Sequence, residues 1–296
     1  MHQADPIGLG AAPLGGLFAT VDDDAARATV DRAWELGVRL FDTAPLYGSG
    51  LSEERLGKAL QGRPRSEYAL STKVGRLLRP GDPDPIFHGA HPLRPVFDFS
   101  GEGMVRSVAE SLDRLGLDRV DTLFVHDPDE HIEQALTGLD ALRGICRLGV
   151  GTNRVETALA FAREGGIDQV MIAGRYTLLD RSAEPELLPL CAERGIAVTA
   201  AGVFNSGILA GGETFDYQPA SRALRARAAE LEALCSRYRV PLAAAALQFP
   251  LRHPAVRTIV VGARSAAEIE ENLGHLARPI PEEFWFEDVL HPLDDR

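Results

Sequence analysis

The chain has 296 residues, 45% of them hydrophobic and 25% charged, the balance of a globular protein able to bury a sizeable core. Its net charge of −12 argues against sequence-independent binding to nucleic acid or to an anionic membrane, so any phosphate site must be local and built mainly from backbone N–H groups. The 3 cysteines (Cys146, Cys191, Cys235) lie far apart in helical stretches and form neither a disulfide framework nor a zinc spacing. With no apolar run long enough to span a bilayer and no basic, apolar leader, the chain reads as cytoplasmic.

Strand-like and helix-like patterns alternate from end to end. The expected strand–helix pairs are Leu9–Leu17 with Asp23–Leu36, Val38–Thr43 with Ser52–Leu60, Tyr68–Lys73 with Gly103–Leu115, and Val120–His126 with Ile132–Cys146. They continue as Leu148–Thr152 with Glu156–Glu164, Gln169–Gly174 with Glu184–Glu193, Ile196–Ala201 with Arg222–Tyr238, and Thr258–Val261 with Ala266–Leu276. Ser52 and Ser265 stand at helix starts as caps, and Glu53 and Glu54 follow at the positive end of a helix dipole. Eight such alternations without a break in composition predict an α/β fold, a single (β/α)8 TIM barrel over residues 1–296.

A doubly wound sheet is the competing architecture, and Ile7-Gly8-Leu9-Gly10 does contain a Gly-x-Gly. Pro13 follows at once and no helix opens there, so strand and turn geometry account better for these glycines. Two segments break the rhythm. Arg79–Ser100 holds five prolines with His88 and His91 and reads as a long loop after strand three, a lid or substrate wall. Pro241–Arg252 reads as an extra helical segment whose alanines serve packing.

Three of the apolar strands end on an ionisable residue, Asp42, Lys73 and His126, and Tyr47 lies five positions past Asp42 on the loop that follows. An unpaired charge cannot fill a core, and the C-terminal strand ends of a barrel are where active sites sit. An acid, a lysine, a histidine and a tyrosine around one mouth make a proton-transfer site. Singly, each has a structural reading: a loop cap for Asp42, a solvated strand end for Lys73, loop packing for Tyr47, and a turn for His126 with Asp127-Pro128.

The block Phe41-Asp42-Thr43-Ala44-Pro45-Leu46-Tyr47-Gly48 resembles the signature of the aldo-keto reductase family, followed in order by Ser71-Thr72-Lys73, Val125-His126, Gly149-Val150-Gly151-Thr152-Asn153 and Val261-Gly262-Ala263-Arg264 through Glu271-Asn272. The resemblance covers essentially the whole chain and implies a barrel that binds a nicotinamide cofactor, NAD or NADP, with no metal. It implies that Tyr47 donates or accepts the proton, that Lys73 lowers the phenol's pKa, that Asp42 fixes Lys73, and that His126 holds the substrate oxygen. For the cofactor it implies contacts from Thr152 and Asn153, from the pyrophosphate loop Gly202, Phe204, Asn205, Ser206 and Gly207, and from Gly262, Arg264, Glu268 and Asn272. Ala173 and Ala201 replace a glutamine and a stacking tyrosine found in many members. Counting back from Glu271-Asn272 puts Gly262 and Glu268 where NADP users carry a lysine and an arginine, which favours NAD; Arg264 could still bind a 2′-phosphate and restore NADP use.

A narrower likeness, in Arg94–Ser100, His126-Asp127-Pro128-Asp129 and Ala173–Asp180, is to the aldose 1-dehydrogenase branch, with its L-fucose, D-threo-aldose and pyridoxal 4-dehydrogenases. It implies a small-molecule partner, a cyclic hemiacetal sugar oxidised to a lactone; the enzyme alternatives are a pyridoxal 4-dehydrogenase, or a broad-specificity aldehyde and ketone reductase working in the opposite direction. A cofactor-binding redox sensor without turnover would not need the proton-transfer set. A metal-dependent hydrolase using His88, His91, His126 and Asp127 lacks a close histidine pair.

Overall fold

The computed structural model describes residues 6–164 and 166–290; the ends of the expected 1–296 span, and Gly165, lie outside the described residues. Eight parallel strands close into a barrel: β1 (Ile7–Gly10), β2 (Leu40–Asp42), β3 (Ala69–Val74), β4 (Thr122–His126), β5 (Arg147–Thr152), β6 (Gln169–Ala173), β7 (Ala197–Ala201) and β8 (Val256–Gly262). Each pairs with its neighbours in sequence, and β1 closes the ring on β8. Around them run α1 (Asp23–Glu35), α2 (Leu51–Leu60), α3 (Gly101–Leu115), α4 (Ile132–Gly138), α5 (Val155–Glu164), α6 (Leu187–Arg194), α7 (Arg222–Tyr238), α8 (Leu242–Gln248) and α9 (Ala266–Ala277). The (β/α)8 architecture expected from the alternation is the one observed.

Apolar burial comes in two shells. Most of the core lies between sheet and helices, where strand residues such as Leu9, Phe41, Leu70 and Val125 meet helix residues such as Val30, Leu56 and Met104. A small cluster of Phe124, Met171 and Val260, with Leu40 and Ala201 against it, fills the barrel itself. That interior explains the glycines of β1: a Cβ on Gly8 would run into the Leu40 side chain, and one on Gly10 would sit 3.0 Å from Val260 Cγ1. Small residues on one strand make room for large ones on its neighbours.

Several boundaries differ from expectation for identifiable reasons. The first strand stops at Gly10, because Pro13 leads a short 3-10 turn over Pro13–Gly15 in place of continued extension. Helix α4 ends at Gly138 and gives way to a 3-10 turn over Leu139–Leu142, leaving Cys146 in the connection to β5; a side chain at Gly138 would collide with the Phe99 carbonyl. Helix α6 starts at Leu187, later than expected, since Pro185 biases Glu184 away from helical geometry.

Ser265 caps α9 by accepting from Glu268 N at 3.2 Å. Ser52 does not cap α2. It lies buried one residue inside that helix, donates to Ala11 O at 2.7 Å and pairs with Thr43 Oγ1 at 2.8 Å. Glu53 is likewise buried, bonded to Arg114 Nε at 2.7 Å and Thr72 Oγ1 at 2.6 Å, so it clamps α2 to α3 and β3.

The segment after β3 is more regular than a loop. It forms an antiparallel hairpin, Arg76–Pro80 against Leu93–Phe97. The hairpin tip folds back on the β1–α1 connection, with Phe18 N donating to Ile86 O at 3.1 Å and His88 N to Gly16 O at 2.9 Å. Gly16 has φ 91, and a Cβ there would strike the His88 carbonyl oxygen, so this contact requires glycine. His88 is exposed, and His91 Nε2 lies 3.3 Å from Glu54 Oε1.

Candidate active site

The exits of β2, β3 and β4 bring Asp42, Lys73 and His126 to one end of the barrel, where Asp42 is in register with Ser71 of β3. Lys73 Nζ donates to Asp42 Oδ2 at 2.6 Å and to Thr43 O at 2.9 Å, and Ser71 Oγ donates to Asp42 Oδ1 at 2.7 Å. Both charged side chains are only 2–3% exposed, which is tolerable because each charge has its partner and further hydrogen bonds. The Lys73 ammonium stands 4.7 Å from the centre of the Tyr47 ring, and that ring meets His126 edge-on at 5.9 Å between centroids.

Electrostatics divide the roles. Burial pulls the Lys73 pKa down, but Asp42 and then Tyr47 outweigh it, so the group is held above its ordinary value and stays an ammonium. For Tyr47 burial dominates and raises the phenol pKa, while Lys73 lowers it and Asp42 raises it. The expected effect of Lys73 is therefore present in sign but does not bring the phenol below its ordinary value; neutral phenol is the resident form at neutral pH. Burial, Arg76 and Lys73 push His126 well below the usual imidazole range, so it is neutral and can donate one ring N–H. Its Nδ1 is buried without a hydrogen-bond partner.

These four residues line a cleft of about 790 Å³, with Ala173 and Ala201 at the exits of β6 and β7 on its other wall. Phe87 from the hairpin tip packs on the Tyr47 ring at 5.9 Å. Across the mouth, Phe18 and Tyr217 touch at 5.9 Å, both exposed and both left-handed, with φ 64 and 63. Tyr217 and Asp216 are the two turn residues of the hairpin Thr214–Phe215 against Gln218–Pro219, and Asp216 is tied to Arg175 at 2.6 Å. An aromatic residue in this turn position is strained by about 1–2 kcal/mol and persists because its surroundings hold it. Tyr217→Gly, which suits the turn, is expected to keep Tm at or above the wild-type value while raising the KM of the molecule bound beneath it several-fold; an unchanged KM would remove Tyr217 from the cleft's lid.

An elongated anionic ligand finds suitable groups along the rest of the cleft. In the loop after β7, Gly202, Asn205, Ser206, Gly207 and Gly211 have φ of 61, 46, 63, 118 and 85. The N–H groups of Asn205, Gly207 and Gly211 are taken inside the loop by Gly202 O, Phe204 O and Gly207 O, so an anion would be met by the N–H groups the loop does not spend on itself. Gly202, Phe204, Ser206 and Gly207 line the cleft. Asn205 does not: it is buried beneath the loop, donating to Gly174 O at 3.1 Å and accepting from Thr177 Oγ1 at 2.6 Å, so it shapes the loop from behind. Thr152 and Asn153 line the cleft, but the Thr152 hydroxyl already donates to Asp129 Oδ1 at 3.0 Å and accepts from Arg154 N at 3.0 Å.

At the far end lie Gly262, Arg264 and Glu268. Arg264 Nη2 and Nε donate to Glu268 Oε1 at 2.9 and 3.1 Å, and Arg264 N donates to Oε2 at 2.8 Å. A Cβ on Gly262 would sit 2.8 Å from Pro13 Cγ, so close packing already requires glycine there. Asn272 is buried on α9 and does not line the cleft. An orphaned imidazole nitrogen at the tetrad, a left-handed backbone loop at mid-cleft and a carboxylate at the far end together suit a dinucleotide with a reactive ring at one end.

Sequence reasoning missed Arg76 and gave Asp127 no part in the proton-transfer site, naming it only in a turn, in the narrower family likeness and in the hydrolase alternative; both line the cleft beside His126. Arg76 Nη2 donates to Asp127 Oδ2 at 2.5 Å, and burial pushes the Asp127 carboxyl up against the downward pull of Arg76. Asp127 reads in sequence as part of a turn, and its partner arrives only because the hairpin folds as it does.

A parallel eight-stranded barrel with this tyrosine, lysine, aspartate and histidine at its C-terminal mouth describes an oxidoreductase. Residues 6–287 match the Aldo/keto reductase family, to which the chain belongs. The family uses NAD(P)H. A D-threo-aldose 1-dehydrogenase from a Pseudomonas species is 42% identical, the match covering 95% of this chain and 92% of the relative. A pyridoxal 4-dehydrogenase from Microbacterium luteolum is also 42% identical, covering 94% and 91%. Among solved structures, an aldo-keto reductase from Bacillus halodurans in its holo form superposes with a TM-score of 0.74 at 28% identity, covering 94% of this chain and 89% of its own.

Proposed function

We propose that the protein is an NAD-preferring aldose 1-dehydrogenase, one cytoplasmic domain over residues 1–296, acting on a sugar of the L-fucose or D-threo-aldose type. The observation that carries the reading is the buried Asp42–Lys73 pair set against Tyr47 and a neutral His126 in a cleft also lined by an acid and a guanidinium. The 42% identity to a D-threo-aldose 1-dehydrogenase supports the substrate class.

Bound nicotinamide would supply the hydride acceptor. His126 donates its N–H to the anomeric oxygen and orients the hemiacetal. Tyr47 must first lose its own proton to solvent; as phenolate it takes the hydroxyl proton while the C1–H bond gives up its hydride, leaving C1 as a lactone carbonyl and Tyr47 as neutral phenol. Lys73, fixed by Asp42, stabilises the phenolate that precedes this transfer. The loop from Gly202 to Gly207 would hold the pyrophosphate, and Asn153 the carboxamide.

Pyridoxal 4-dehydrogenase is the second reading, favoured by an equal identity and by the aromatic rings of Phe18, Phe87 and Tyr217 around the mouth. A screen of cofactor reduction over L-fucose, L-galactose, D-arabinose, L-xylose and pyridoxal tests both. Turnover of one or more sugars with none of pyridoxal supports the aldose reading, and the reverse pattern overturns it.

Glu268 carries the choice of nucleotide. A 2′-phosphate would have to separate Arg264 from Glu268 and then face the carboxylate, whereas a free 2′-hydroxyl can donate to it. The wild type is expected to favour NAD over NADP in kcat/KM by on the order of tenfold or more, the scale of one charge-assisted hydrogen bond. Glu268→Arg should narrow or reverse that ratio. A clear NADP preference in the wild type contradicts the assignment.

A further inference from the structure

Immediately after His126 the backbone turns left-handed at Asp127, with φ 44, and Asp127 N is pinned to Gly151 O at 2.9 Å. This unusual conformation for a non-glycine residue keeps the carboxylate beside the histidine, with Oδ2 3.5 Å from His126 Nε2. On its other side the same oxygen accepts from Arg76, which is held over the Phe97 ring at 5.0 Å and has a side chain only 12% exposed. Arg76 Nε is buried with no hydrogen-bond partner. The Asp127 side chain is 31% exposed and lines the cleft with Arg76. A carboxylate offers about four acceptor positions, so most of its capacity is free.

A donor and an acceptor, both immobilised and both next to the group assigned to the reacting oxygen, form a fitted partner for one further hydroxyl. Such a hydroxyl can donate to Asp127 while accepting from Arg76. The oxygens of a gauche vicinal diol lie about a hydrogen-bond length apart, comparable to the spacing between His126 Nε2 and the carboxylate. An ion pair that only docked the hairpin onto the barrel would have no need to face the cleft.

We propose that Asp127 and Arg76 are specificity-determining residues that clamp the hydroxyl on the carbon adjacent to the reacting carbon, selecting 2-hydroxy hemiacetals over 2-deoxy sugars and simple aldehydes. The proposal rests on the aldose reading above. A site built to pair a hydroxyl rejects the analogue that lacks it, because its own buried polar groups are left unpaired.

The test compares kcat/KM for the best aldose of the screen and its 2-deoxy counterpart, beginning with D-arabinose and 2-deoxy-D-ribose, which differ only at C2. The wild type should favour the hydroxylated sugar by on the order of 10²-fold or more. Asp127→Ala should lower kcat/KM for the hydroxylated sugar far more than for the deoxy sugar, collapsing the ratio toward one. Asp127→Asn, which keeps the side chain's shape if the alanine variant folds poorly, should reduce the ratio partway. A purely structural role would lower both substrates together and leave the ratio standing. Aldose turnover with a ratio unmoved in the variants, or with no wild-type preference, overturns the clamp alone. A wild type that oxidises no aldose overturns the underlying reading and the clamp with it.

Discussion

Tyr47→Phe is expected to lower kcat by about 10²–10⁴-fold, the contribution of a positioned acid–base group, while cofactor affinity stays within a few-fold. The resolved packing of Tyr47 is made by the ring: Phe87 on one side, His126 edge-on, and the Lys73 ammonium 4.7 Å from its centroid. Phenylalanine preserves all three, so the substitution removes the hydroxyl and little else. The loop from Gly202 to Gly207, assigned to the pyrophosphate, lies on a different wall and should not register the change. Steady-state kcat and a fluorescence titration of cofactor check the two halves. Near-normal kcat would remove Tyr47 from proton transfer, and a lost cofactor affinity would show the residue serving the dinucleotide instead.

The tetrad was legible in sequence because a buried strand has little use for a terminal charge, and Asp42, Lys73 and His126 each end an apolar run. The barrel was legible from the same alternation. What escaped depends on partners distant in the chain. Ser52 has a cap's sequence position, yet the hydroxyl is taken by Ala11 O and Thr43. The prolines between Arg79 and Ser100 suggested an irregular loop and hid the pairing of Arg76–Pro80 with Leu93–Phe97. That hairpin in turn carries Arg76 to Asp127 and Phe87 to Tyr47, so missing it concealed the part of the cleft's wall that Arg76, Asp84, Ile86 and Phe87 supply. Asn205 and Asn272 were assigned to the cofactor by resemblance, and no local signal distinguishes an amide facing the cleft from one turned beneath it. The pairing of Arg264 with Glu268 was readable, because residues four apart at the start of a helix are neighbours.

Lys73→Met is expected to reduce both turnover and stability, and the two losses separate. The methionine leaves Asp42 buried with only Ser71 Oγ as a resolved side-chain donor, and removing one partner of a buried pair costs about 3–5 kcal/mol. At roughly 2–4 °C per kcal/mol for a protein of this size class, Tm should fall by on the order of 10 °C. Lys73→Met with Asp42→Asn removes both charges and should recover much of that stability, since no uncompensated charge remains. Turnover should stay low in the double variant, because the phenol still lacks its cation. The pH dependence follows from the sign of the effect. Burial already raises the Tyr47 pKa and Lys73 is the group that lowers it, so losing Lys73 moves the phenol further up. In the proposed sugar oxidation the Tyr47 phenolate is the base, so the rate should rise as pH passes through that pKa. The rising limb of the kcat profile should therefore shift to more alkaline pH in Lys73→Met. His126, held neutral well below its ordinary value, adds no inflection of its own near neutral pH. A profile that keeps the wild-type limb, or a double variant that regains activity along with stability, would show that Lys73 only packs beneath the tyrosine.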